Sequence, residues 1–250
     1  MIEEKRNEKF STLVKQENYL EAGTHIGTKL CTFDMKRFVF KTRNDGLNVL
    51  DLKQMDMRLR EAAKIICKYN AEDVLIVASR TYSGNAAEKL AALTGINVMR
   101  KRFVPGTMTN IALSDFKEPK LIFISDPRNE REAIIEAVKM GIPVIGLCDT
   151  DNETKNLDYI IPANNKGRKS LALIFYILTR EIVMAQNKIS SYDQFQYEPN
   201  YFEKFDELEK IKDDEQRIQE PTKPIAESQE PQKPQESGQI ILSTEISQIL

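Results

Sequence analysis

Three carboxylates stand where α/β proteins keep their chemistry, just after apolar runs. Asp126 closes one run in Asp126-Pro127-Arg128, and Asp149 and Asp151 close another in Cys148-Asp149-Thr150-Asp151. Acids grouped this way can hold magnesium or form a phosphoryl-aspartate, which would make the chain a phosphatase-like enzyme. A structural reading competes. Asp126 before Pro127 has the form of a helix N-cap with proline at the first helical position, and Asp149–Glu153 has the composition of a solvated turn. We assign all three acids to caps and turns, and expect no catalytic residue and no metal ligand.

Gly23-Thr24-His25-Ile26-Gly27-Thr28-Lys29 has the look of a phosphate loop but not its spacing. A Walker loop needs four residues between its glycines and then Lys before Ser or Thr. Here three residues separate the glycines and Thr28 precedes Lys29. The glycines are therefore read as permitting a tight backbone path and close backbone approach. His25 has no nucleophile elbow near it in sequence and is read as a hydrogen-bonding loop residue.

Basic clusters remain. Lys36, Arg37, Lys41 and Arg43 interleave with Phe38 and Phe40. Arg100-Lys101-Arg102 precede Phe103, and Asn164-Asn165-Lys166-Gly167-Arg168-Lys169 form the third group. Cations contact phosphates, amides add hydrogen bonds and aromatics stack on unpaired bases. This pattern, on loops without a catalytic constellation, points toward RNA. The ten cations are assigned to phosphate contact, and Asn164 and Asn165 to hydrogen bonds with RNA or a partner loop.

Alternating elements must hold these loops. Val74–Ala78, Leu121–Ile124 and Pro143–Leu147 are short apolar runs of the kind that form strands buried on both faces of a parallel sheet. Weaker strands are predicted at Ile96–Val98 and Tyr159–Ile161. Helical patterns occupy Met55–Tyr69, Gly84–Leu93, Arg128–Met140 and about Lys169–Gln186, the last with Leu171, Ile174, Leu178 and Ile182 on one stripe. Gly95 and Gly141 read as helix stops. A first helix is predicted over Ser11–Ala22, then a hairpin of Phe38–Phe40 and Leu47–Leu50 turning at Asn44-Asp45-Gly46. The expected fold is α/β: three α/β/α layers around a doubly wound, mostly parallel sheet of about five strands, with an N-terminal helix and hairpin and a disordered C-terminal tail.

Composition sets limits on the rest. The 250 residues split into a body, 1–202, with net charge +4, and a Pro/Glu/Gln-rich tail, 203–250, with net charge −6. A basic body is compatible with a polyanionic partner although the whole chain is at −2. The tail has little to bury from about Asp213 to Gly238, so disorder is expected there. Gln239–Leu250 is apolar enough to be a short docking motif, and a protein-interaction adaptor working through this tail is the third class of function considered. Three cysteines and one histidine cannot form a disulfide scaffold or a clustered zinc site. No apolar run reaches the roughly 20 residues of a membrane span, and the first ten residues lack an apolar signal region. A cytoplasmic protein without membrane, small-molecule substrate or cofactor is expected.

Four stretches also resemble a known family, the small-subunit ribosomal protein S2 family, which in animals includes the laminin-receptor precursor. They are Glu21–Gly27, Arg102–Thr107, Pro119–Pro143 with Asp126, Glu130 and Glu136, and Ile161–Gly167. The likeness spans about residues 10–190. Bacterial members insert a long helical hairpin for which this chain has no spare residues after Leu50–Asn70. Arg102–Thr107 and Leu147–Asn152 are similar to the archaeal and eukaryotic branch. The resemblance implies a structural ribosomal protein bound to small-subunit rRNA and to other small-subunit proteins, required for assembly and translation. It also implies a place near the head–body junction, on the solvent side, close to the mRNA exit.

Overall fold

A computed structural model describes residues 12–189 and 191–204. The expected tail from 205 onward, including 213–238 and the apolar end, lies outside these residues. In chain order the elements are α1 (Gln16–Ala22), β1 (Val39–Thr42), β2 (Asn48–Leu50), α2 (Leu52–Ile66), β3 (Val74–Val77), α3 (Thr81–Thr94), β4 (Asn97–Met99), β5 (Leu121–Ile124), α4 (Arg131–Met140), β6 (Val144–Cys148), β7 (Tyr159–Pro162), α5 (Arg168–Ala185) and α6 (Pro199–Glu203).

Five strands pair in parallel in the order β4-β3-β5-β6-β7, with β1 and β2 an antiparallel hairpin apart from them. Alternate residues of the parallel strands face opposite layers, as the period of two requires. Val74, Ile76, Leu121, Phe123, Ile145 and Leu147 pack with α2, α3 and α5. Leu75, Val77, Ile122, Ile124 and Val144 pack with α4 and with Phe103 and Met108 of the 100–120 loop. This two-sided burial explains why the strands read as unbroken apolar runs. The hairpin side contributes Met35, Phe38 and Leu50 against Cys148 and Ile160. The direction of winding reverses between β3 and β5, the switch point where ligands enter open α/β sheets.

The glycine stops hold: Gly95 and Gly141 take left-handed conformations and cap α3 and α4. Four helix starts are corrected: α2 and α3 begin three residues before the predicted Met55 and Gly84, and the other two begin later. The first helix begins at Gln16, because the backbone N–H of Leu13 donates to the Asp56 carboxylate at 2.8 Å and its carbonyl accepts from Arg180 at 2.7 Å. Those bonds hold 12–15 out of the helical conformation. The α4 helix begins at Arg131, not at Arg128, and Asp126 is not its N-cap. Asp126 instead closes a tight turn, with its carbonyl accepting from Asn129 and Glu130.

Candidate nucleic-acid interface

The carboxyl end of the sheet is filled with the chain's own polar groups. At the switch point Glu130 turns back from the start of α4. Its carboxylate accepts from the Ser79 N–H at 2.8 Å and hydroxyl at 3.0 Å, the Ser125 N–H at 2.9 Å and hydroxyl at 3.0 Å, and the Asp126 N–H at 3.1 Å. Backbone N–H groups converging at a strand end are an anion cradle, and here Glu130 is its anion. Burial pushes Glu130 up to about 7, opposed by those donors.

Beside it, buried Asp126 takes the Arg80 guanidinium at 2.5 and 2.6 Å and accepts from Asn152 at 3.3 Å. Asn152 in turn accepts from the Asp149 N–H at 2.7 Å and from the Asn165 amide at 3.0 Å. The Lys166 ammonium lies 2.7 and 2.8 Å from the two Asp151 oxygens and 3.2 Å from Asp149. Burial lifts Asp149 above the usual carboxylate range, and the Lys166 charge pulls it back. The segment read as a solvated turn is thus mostly buried, with Asp149, Thr150 and Asn152 inside and Asp151 nearly so. Its polar composition reflects internal pairing, not exposure to water.

The Gly23–Lys29 loop seals the same end. Gly23 caps α1 in the left-handed region. Gly27 lies so close to Thr150 and Asn48 that an added Cβ would sit 2.5 Å from the Thr150 methyl. Its neighbour Thr28 donates its N–H to the Thr150 hydroxyl at 2.9 Å. The loop therefore ties β2 to the end of β6. Half-buried His25 has its carbonyl bonded by Leu50, and burial lowers its imidazole pKa.

The residues assigned to RNA divide sharply. Lys36, Arg37, Lys41 and Arg43 are exposed on the turn and hairpin, with Arg43 paired to Asp45 at 3.3 Å. Of their aromatics only Phe40 is presented to solvent. Phe38 is core, with the Arg37 guanidinium 4.8 Å from its ring centre. Lys101 and Arg102 are exposed, whereas Arg100 pairs with Glu88 at 3.0 Å and lays its stem across Gly84 of α3. Phe103 is core too and cannot stack on a base.

In the third cluster Lys169 is exposed and Arg168 pairs with Glu203 at 2.5 Å. Lys166 serves the buried acids. Asn165 is fully buried and donates to the Leu147 carbonyl at 3.0 Å, which corrects its assignment to RNA. Asn164 donates to the Gly23 carbonyl at 3.2 Å and accepts from the N–H groups of Lys166 and Gly167, so its partner is a loop of this chain. The structure therefore brings Asn164, Asn165 and Lys166 into the internal network. The cations of 100–102, and of 166–169 where the turn after β7 runs into α5, follow β4 and β7, the two edges of one sheet. Four strand spacings of roughly 4.8 Å separate those edges by about 19 Å, so the two loops would reach different phosphates.

Sequence reasoning missed Arg80 and the Glu130 carboxylate cradle, which no local pattern announces. It also missed a groove of about 450 Å³ lined by Leu30, Pro127, Arg128, Arg131, Ile134, Ile135, and the 151–156 turn including Lys155. No helix among the described residues is long and apolar enough to cross a membrane, and no group of acids, cysteines or histidines among them could hold a metal ion.

Comparison with known proteins bears on all of this. A family model described as ribosomal protein S2 matches residues 19–115 and 114–185. The small ribosomal subunit protein uS2 of Thermoplasma acidophilum is 46% identical over 191 residues, covering 76% of this chain and 96% of its own length. The protein of the same name from Methanococcus maripaludis is 47% identical over 188 residues, covering 73% and 86%. That of Ignicoccus hospitalis is 48% identical over 179 residues, covering 71% and 84%.

Proposed function

The chain belongs to the ribosomal protein S2 family, and from that premise we propose that it is a structural constituent of the small ribosomal subunit. It binds rRNA and neighbouring subunit proteins, works in the cytoplasm on the ribosome, and is required for subunit assembly and translation. The observation that carries this reading is the similarity to proteins named for the small subunit, which extends over nearly the whole length of one of them.

The polar geometry agrees with a structural role. A phosphatase would need a free aspartate nucleophile or an open magnesium site. Asp149 and Asp151 share Lys166, Asp126 is held by Arg80, and Glu130 occupies the switch point. We therefore assign no reaction, no cofactor and no small-molecule substrate. Phosphate contact falls to the exposed cations Lys36, Arg37, Lys41, Arg43, Lys101, Arg102, Arg168 and Lys169. Their net attraction is electrostatic and should release counterions on binding.

Sedimentation of the native protein from a cell lysate tests the reading. The chain should travel with small subunits and leave the top of the gradient empty. Recovery at the top, or a magnesium-dependent phosphatase activity abolished by Asp149→Asn, would overturn it.

A further inference from the structure

One concave surface takes no part in the RNA contacts proposed above. It lies between α4 and the loop that carries Leu30, beside the 151–156 turn, and its volume is about 450 Å³. Its floor is aliphatic: Pro127, Ile134 and Ile135 line it, and Leu30 stands at its edge with 70% of its surface in water. Three residues on, Phe33 is 92% exposed. Single exposed apolar side chains need no explanation, but two on one loop, of which Leu30 lines the hollow and Phe33 does not, mark a contact surface.

Its rim is cationic. Arg131 and Lys155 are exposed and have no ion-pair partner among the described residues, while Arg128 reaches only loosely toward Asp151, at 3.6 Å. Asp151 also lines the groove, yet its two oxygens are already taken by Lys166. Glu153 is the remaining acid. The three rim cations thus outweigh the acidic charge left to face a visitor.

We infer that this groove docks an acidic segment of a neighbouring small-subunit protein, anchored by a large aliphatic or aromatic side chain. The inference rests on the ribosomal reading for the identity of the neighbourhood. RNA fits the rim but not the floor: phosphates gain nothing from isoleucine, and no aromatic ring lines the hollow for a base to stack on. A peptide satisfies both, because an apolar anchor buries against Leu30, Ile134 and Ile135 while flanking carboxylates meet Arg128, Arg131 and Lys155. The sequence hides the site, since Arg128 and Arg131 come from the start of α4 and the turn before it, and Lys155 from a turn more than twenty residues on.

Photocrosslinking in purified small subunits tests it. Leu30→p-benzoylphenylalanine places the probe at the groove's edge, on a side chain whose exposure makes the change harmless to folding. Mass spectrometry then identifies the adduct. The expected product is a stretch of another subunit protein with at least two acidic residues around a large apolar one, and its yield should fall at least five-fold when Arg131→Glu and Lys155→Glu are added. An adduct with rRNA, with a segment lacking acids or with residues 205–250 of this chain would overturn the inference. So would the absence of any adduct, or one that charge reversal leaves undiminished. If the chain fails to enter the subunit at all, the ribosomal reading falls with it; a chain that enters with its groove open sinks only the docking inference.

Discussion

Lys101 and Lys166 occupy equivalent places, in charge-rich loops just past the two edge strands of one sheet, and they are used in opposite ways. Lys166 closes on two acids at 2.7–3.2 Å and neutralises a buried network. Lys101 stands in solvent with no acid to hold it among the described residues. The difference is not in the lysines but in what the neighbouring strand delivers. Next to Lys166, β6 ends in Asp149-Thr150-Asp151, so removing those acids from water requires a cation. Next to Lys101, α3 supplies Glu88, and Arg100 takes it. A count of basic residues therefore overstates an RNA surface wherever strand ends bring acids together.

The network side is the more fragile. Glu130→Ala would leave the buried N–H group of Asp126 and the part-buried one of Ser79 without an acceptor, while the Ser125 N–H keeps the Val77 carbonyl at 3.0 Å. At about 1–3 kcal/mol for each of these two groups, the loss should be about 4 kcal/mol and be read as a fall in the denaturant midpoint. Arg80→Ala leaves Asp126 charged and buried and should cost about 3 kcal/mol. Lys166→Ala exposes the same problem at Asp149, but Lys166 holds that acid by one contact at 3.2 Å where Arg80 holds Asp126 by two at 2.5 and 2.6 Å, so the expected loss is nearer 2 kcal/mol. Lys101→Ala should change stability by less than about 0.5 kcal/mol. Equal losses at Lys101 and Lys166 would erase the distinction.

Acidity sharpens the same contrast. Burial sets Glu130 at about 7 against an ordinary 4.5. Between those values the folded chain keeps a proton that the unfolded chain has released, so this group's contribution is complete at low pH and is lost as pH rises through 7. Unfolding measured from pH 4.5 to 7.5 should show that decline, and Glu130→Gln, which cannot titrate, should flatten it. A stability that climbs across the window in the wild type would mean that the five donors outweigh burial.

Much of this architecture was legible because its signals are local. Apolar runs announced β3, β5 and β6, Gly95 and Gly141 marked the helix ends, and Asp45-Gly46 marked the hairpin. The strand order was not legible, since no local pattern says that β3 lies between β4 and β5. The site divided along the same line. Lys36, Arg37, Lys41, Lys101 and Arg102 were found as cations and are exposed as cations. Asn165 and Lys166 are found in an internal polar network that the sequence did not announce, because such a network and a solvated turn have the same composition, and only tertiary proximity to Asp149, Asp151 and Asn152 tells them apart. Phe38 and Phe103 failed for the converse reason, as an aromatic beside lysines can face the core as readily as the solvent.

The smallest effects are in slopes, and they bear most directly on the claim that exposed cations, not the buried network, contact rRNA. Affinity for small-subunit rRNA should be measured across salt concentrations for the wild type, for Lys36→Ala/Arg37→Ala/Lys41→Ala, for Lys101→Ala/Arg102→Ala and for Lys166→Gln. Each phosphate that a variant leaves without its cation should reduce the slope of log affinity against log salt by roughly 0.7–0.9. The first two variants should therefore bind more weakly with shallower slopes, while Lys166→Gln keeps the wild-type slope. Unchanged slopes in both multiple variants, or a slope flattened by Lys166→Gln as much as by them, would contradict the account.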